Sequence, residues 1–274
     1  MRGKEKIGQF HLQSTIYRWE KYDGKVQHQI MHSEDILVGL DLAWHKKDAN
    51  SGVAAGKISD GKLLATEVIS GGITYDMVKT YLSDNMSHLR GIAIDASLII
   101  KNQTRQRLCE TLIGREYGSR KASCHTSNLK RLSNSTGLKL ERILSNHLEH
   151  LGNDRFMIEV YPHPAIIELF GLSERLLYKK GSVAQKKAGL ARLRDMIRSL
   201  SSNSRLQLDF SKAANEFLDQ SIELLKGKSL KVYEDGLDAV ICLYLAGLWA
   251  TNRESMNIYG DRESGYIVVP KPIS

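Results

Sequence analysis

The chain has 274 residues, 42% hydrophobic and 26% charged, with a net charge of +8. That is globular composition with enough apolar residues for a full core, either one large domain or a domain with an appendage. No apolar run approaches the ~18 residues of a membrane-spanning helix, and the N-terminal stretch lacks the apolar centre of a secretory signal, so a cytoplasmic protein with no membrane partner is expected.

Residues 1–35 are polar, with scattered aromatics (Phe10, Tyr17, Trp19, Tyr22) and no sustained period, and read as an N-terminal appendage. The body, 36–274, opens with ILVGLDLAW (36–44), a strand by its aliphatic content. SGVAAGKIS (51–59) and KLLATEVIS (62–70) follow, and Asp60-Gly61 between them is a hairpin signal. ITYDMVKTYLSDNM (73–86) has helical spacing, and LRGIAIDASLII (89–100) contains a fourth strand. The order β-β-β-α-β predicts a mixed sheet in which the fourth strand lies parallel to the first.

Residues 101–150 read as a basic helical insertion, with an amphipathic helix over 138–151. RFMIEVYPHP (155–164) reads as a fifth strand and AIIELFGL (165–172) as a helix. SVAQKKAGLARLRDMIRSL (182–200) is an amphipathic helix, 201–232 loop and helix, 236–250 an apolar helix, and GYIVVP (265–270) a closing strand.

The charge is uneven. Lys101 to His147 carries ten Lys/Arg against three Asp/Glu, and Arg175 to Arg198 eight against one. Each segment therefore has an excess of +7, and the remainder sums to −6. Basic flanks around an acidic centre suit a polyanion, although solvated helix faces look the same. The three cysteines, Cys109, Cys124 and Cys242, have no CxxC spacing, which argues against a zinc site or a disulfide framework.

Three aspartates interrupt apolar segments: Asp41 in VGLDLAW, Asp95 in GIAIDASL and Asp238 in DGLDAVICLYLAGLWA. A buried carboxylate needs a neutralising partner, and three that converge make an all-oxygen site for Mg²⁺ or Mn²⁺. A buried arginine or a hydrogen-bond network is the competing partner for Asp41 and Asp95. An acid in the first helical turn is the competing reading of Asp238. Phosphodiester hydrolysis asks for an activated water and neutralised oxygens, and two ions held by shared carboxylates supply both. Glu159 on the fifth strand, or Asp235 three residues before Asp238, would supply a fourth acid; Asp235 reads equally as a helix N-cap. His163 could position water or bind phosphate, or be a structural loop histidine. Arg105, Arg107 and Lys179, with Lys180, could grip phosphate or be solvated.

GLDLAW, AIDASL, EVYPHP, DGLDAVICLYLAG and the closing GD-x3-GYIVVP, in that order, resemble the domain-of-unknown-function family 429, described as predicted ribonuclease H-like nucleases. The likeness runs from about Ile36 to Pro270. It implies a ribonuclease H-like α/β sheet of strand order 3-2-1-4-5 flanked by helices. It also implies metal ligands at Asp41, Asp95 and Asp238, and a site role for Glu159. The family more often has AIDAPL; here Ser97 takes the proline's place and leaves Asp95 intact. A metal-dependent nuclease acting on DNA or RNA is the leading expectation. The competing ones are a non-catalytic nucleic-acid-binding module and an actin-like phosphotransferase. The latter is disfavoured because only Gly71-Gly72 resembles a phosphate loop and no duplication is present.

Overall fold

A computed structural model of the protein describes residues 6–12, 15–22, 25–31, 35–44 and 50–272. The chain divides into two compact units, Met1–Asp35 and Ile36–Ser274. The expected appendage, 1–35, lies partly outside the described residues. Its described part forms three strands, β1 (Lys6–Leu12), β2 (Thr15–Tyr22) and β3 (Lys25–Met31), paired antiparallel in that order.

The larger unit is an α/β body built on a mixed seven-stranded sheet flanked by helices. Its centre holds the five strands expected from the sequence: β4 (Ile36–Asp41), β5 (Gly52–Ser59), β6 (Lys62–Ser70), β7 (Leu89–Asp95) and β9 (Phe156–Glu159). The edges are β8 (Glu149–His150) and β10 (Leu208–Phe210), and the order across the sheet is β10-β6-β5-β4-β7-β9-β8. Asp60 and Gly61 both take positive φ, 52° and 75°, which matches the twist a tight β5–β6 hairpin needs. Helix α1 (Tyr75–Asp84), capped by the Thr74 hydroxyl, carries the chain from β6 to β7, which lies parallel to β4.

Strand alternation divides the core. Leu37 on β4 and Ala93 on β7 face one cluster, while Val38, Leu40, Ile92 and Ile94 face the other. The first cluster packs against α5 (Pro162–Leu169), α6 (Val183–Ser199), α7 (Lys212–Leu218) and α8 (Lys228–Thr251). The second packs against α1 and α4 (Thr136–Leu144). A third, smaller cluster joins α2 (Leu108–Tyr117) to a hairpin of β11 (Met256–Asp261) and β12 (Gly265–Pro270). A further short helix, α3, spans Leu129–Leu132.

Three expected boundaries shift, each for a physical reason, and one strand pairs elsewhere. The helix expected over 138–151 ends at Leu144. Leu140, Leu144 and Leu148 belong to the second cluster and Leu151 to the first, on the opposite face of the sheet, which one continuous helix could not serve. The strand expected to run to Pro164 stops at Glu159. Pro162 opens α5, where its missing N–H costs nothing. Helix α8 starts at Lys228 rather than 236, so Asp235 lies inside it and does not cap it, and Asp238 lies beyond its first turn. Finally, GYIVVP pairs with β11 and touches the main sheet by one bridge, Val160 to Val268.

Helix α8 sits directly on the sheet because glycines let it. A Cβ on Gly39 would fall 2.0 Å from the Leu243 backbone nitrogen, and one on Gly52 would fall 2.2 Å from the Asp235 carbonyl oxygen. Among the described residues no helix is long and apolar enough to cross a membrane.

Candidate functional site

Asp41 and Asp95 end adjacent parallel strands and are register partners. Alternation from Leu37 and Ala93 turns both toward α8. The Gly52–Asp235 and Gly39–Ala239 contacts seat α8 so that Asp235 and Asp238 stand beside them. Asp95, Asp235 and Asp238 are all buried, and Asp41 is half-buried. Four acids therefore gather at one end of the sheet, at the floor of a cleft of about 480 Å³ that Asp41, Asp95 and Asp235 line.

Their surroundings differ. Asp238 accepts a 2.7 Å hydrogen bond from the Tyr178 hydroxyl at Oδ1. Lys179 Nζ lies 2.7 Å from its Oδ2, an ion contact outside hydrogen-bond direction. Asp235 receives Lys231 Nζ at 2.6 Å on Oδ1 and Asn50 Nδ2 at 2.8 Å on Oδ2. Lys231 also holds the buried Glu234, at 2.7 Å. Among the described residues no hydrogen bond or ion pair reaches the carboxylates of Asp41 or Asp95. Burial therefore governs them. It raises Asp41 well above the usual carboxylate range and pushes Asp95 up to about 7, with Lys179 opposing and Asp238 reinforcing in both.

His163, on α5, also lines the cleft and is buried, with no hydrogen-bond partner for Nδ1. Burial, and then the nearby Lys179 charge, lower it to about 4, so its ring is neutral at pH 7. The cleft wall adds Trp44, whose indole N–H donates to the Asp95 carbonyl at 3.1 Å, and Tyr161. Arg175 and Lys180 add cations at its rim.

Three expected site residues stand elsewhere. Glu159 pairs in register with Ile94 and, by alternation, shares its face, opposite to that of Asp95. Arg107, expected to meet phosphate, is interior instead. Its guanidinium binds Glu159 through two bonds, at 2.6 and 2.9 Å, and Glu110 at 2.9 Å. Ser97 accepts a 3.0 Å bond from the same guanidinium. With the Leu98 N–H on Glu159 and the Ser127 N–H on Glu110, this is a satisfied structural network. Arg105 is exposed, with φ 64°, and does not line the cleft.

The structure thus brings together Asp41, Asp95, Asp235, Asp238, Lys179 and His163, and sets apart Glu159, Arg107 and Arg105. Sequence reasoning passed over Lys231, Asn50, Tyr178 and Trp44. Lys231 had a signal, since it lies four residues before Asp235 on a helix, but that signal depends on starting the helix at 228. Asn50 and Tyr178 had none.

Fold and site together define an α/β protein with a carboxylate cluster at the ends of two central parallel strands. The chain belongs to the family described as Protein of unknown function (DUF429), whose model matches residues 39–264. No curated protein and no solved structure matches it.

Proposed function

We propose that the protein is a metal-dependent nuclease of ribonuclease H-like fold, hydrolysing phosphodiester bonds of nucleic acid with Mg²⁺ or Mn²⁺. The observation that carries this reading is the register pair Asp41–Asp95, turned to one face of the sheet beside Asp235 and Asp238. The donor set fits such an ion. It is all carboxylate oxygen, it faces a cleft, and burial raises the proton affinity of Asp41 and Asp95, which a bound cation would offset. Asp41 and Asp95 would hold the ion, with the α8 acids beside them. Once bound, a divalent ion would supply an acidified water and charge neutralisation at phosphorus.

The chain's own residues supply the rest. Neutral His163 lines the cleft, where its imidazole can exchange a hydrogen bond or proton with a water or with the substrate. Arg175 and Lys180 suit the phosphate backbone, and Trp44 and Tyr161 offer aromatic surface to a base or sugar.

A second reading is favoured by one observation. Lys179 and Lys231 already neutralise two of the acids, as in a nucleic-acid-binding module that cuts nothing. A labelled panel of single- and double-stranded DNA, RNA, hybrid and four-way junction separates the two readings. Cleavage with Mn²⁺ or Mg²⁺ that is abolished by chelator and by Asp95→Asn is the expected result. Chelator-insensitive binding without cleavage would put the module first.

A further inference from the structure

We infer that the cluster takes a single divalent ion, between Asp41 and Asp95, and that the ammonium of Lys179 stands where a second ion would. The inference rests on the metal-dependent reading above and narrows it. A second ion at the helix side of the site would need an oxygen of Asp235 or Asp238, and each of those oxygens already faces a donor or an ammonium, although Asp238 Oδ2 has only the ion contact with Lys179 and no hydrogen bond. Tyr178 and Lys179 hold the two oxygens of Asp238, and Lys231 and Asn50 hold those of Asp235. Asp238 is wholly buried, so no oxygen of it faces the cleft unless Lys179 leaves.

Charge at the strand ends agrees with a single ion. Asp238 with Lys179 is a neutral pair at 2.7 Å, whereas Lys231 is shared between Asp235, at 2.6 Å, and Glu234, at 2.7 Å. Among the described residues Asp41 and Asp95 have no cation in contact, and one divalent ion balances their two charges. A second ion would place excess positive charge among buried groups, and uncompensated buried charge is strongly disfavoured. The assignment makes Lys179 a positioning residue. It keeps Asp238 out of the ion's coordination and presents a fixed positive charge beside the ion.

The test is the number of Mn²⁺ ions bound per full-length chain, measured by equilibrium dialysis with electron paramagnetic resonance, in the absence of any substrate. One ion with an uncoupled spectrum is expected for the wild type, weakened at least about tenfold in Asp41→Asn. Lys179→Met should gain a second ion, because it frees an oxygen of Asp238. Two ions in the wild type, or one in a folded Lys179→Met, would overturn the inference. If Lys179→Met does not fold, Lys179→Met combined with Asp238→Asn removes the buried charge and should return the count to one; two would again overturn it. No Mn²⁺ on a folded wild type would sink the metal-dependent reading itself, a result distinct from binding two.

Discussion

Arg107 holds its charge in the interior, so its worth is structural. Removing one partner of a buried ion pair leaves an uncompensated charge, which costs about 3–5 kcal/mol. Arg107→Met strands Glu159 and Glu110 together and should lower stability by about that much in urea unfolding. Adding Glu159→Gln should restore part of the loss, whereas an exposed phosphate-binding arginine would show neither effect. His163 makes a prediction in pH. Its folded pKa, about 4, lies below its ordinary value of 6.5, so the stability it contributes is present above pH 6.5 and lost as pH falls toward 4. In the metal-free protein Asp95, raised to about 7, acts with the opposite sign, favouring the fold at low pH and losing that contribution as pH rises through 7. The difference between wild type and His163→Gln isolates the histidine. Between pH 6.5 and 4 the wild type should lose up to about 3 kcal/mol more than the variant, followed by urea midpoints with chelator present. Neither role could be read from the sequence. Arg107 and His163 are defined by partners, or the lack of one, on segments far away in the chain.

Helix α8 is the element on which the site depends, and glycines set its position. A Cβ at Gly39 meets helix backbone, which cannot move aside as a side chain tip can. Gly39→Ala should therefore cost about 3 kcal/mol, at the upper end of the overpacking range, seen as a fall in the denaturant midpoint. Gly61→Ala in the exposed β5–β6 turn disturbs no packing, because nothing lies within 4 Å of its new Cβ, although its φ of 75° still penalises alanine. It should cost less than Gly39→Ala. The strands carrying Asp41 and Asp95 were legible because β-branched and aliphatic runs bounded by turn residues have few other readings. The start of α8 was not. Its first turns, KSLKVYED, are polar, and its N-cap is Gly227 at φ 49° with no side-chain bond, so no capping signal marks it. That miss hid Lys231 and left Asp235 looking like a cap. The over-long helix at 138–151 failed for another reason. Leucine spacing continued past Leu144, but the leucines serve opposite faces of the sheet.

At the scale of the molecule, the β-β-β-α-β order and the later strand carried the sheet, and the sheet brought Asp41 and Asp95 into register. The two charge-bearing lysines of the site were only partly visible. Lys179 stood out within a basic segment, but nothing in the chain tied it to Asp238, 59 residues away. Because the proposed ion binds the folded chain alone, it should stabilise the whole body. Mn²⁺ at 100 times its dissociation constant adds about 2.7 kcal/mol, or roughly 5–10 °C in Tm for a domain of this size. Chelator should remove the gain, and Asp41→Asn should not show it, by differential scanning fluorimetry.

The most direct measurement is an anomalous difference map from a crystal of the full chain soaked in Mn²⁺. The account predicts density in contact with the carboxylates of Asp41 and Asp95, with Lys179 still on Asp238. A crystal with ordered aspartates and no anomalous peak between them at saturating Mn²⁺ would contradict it.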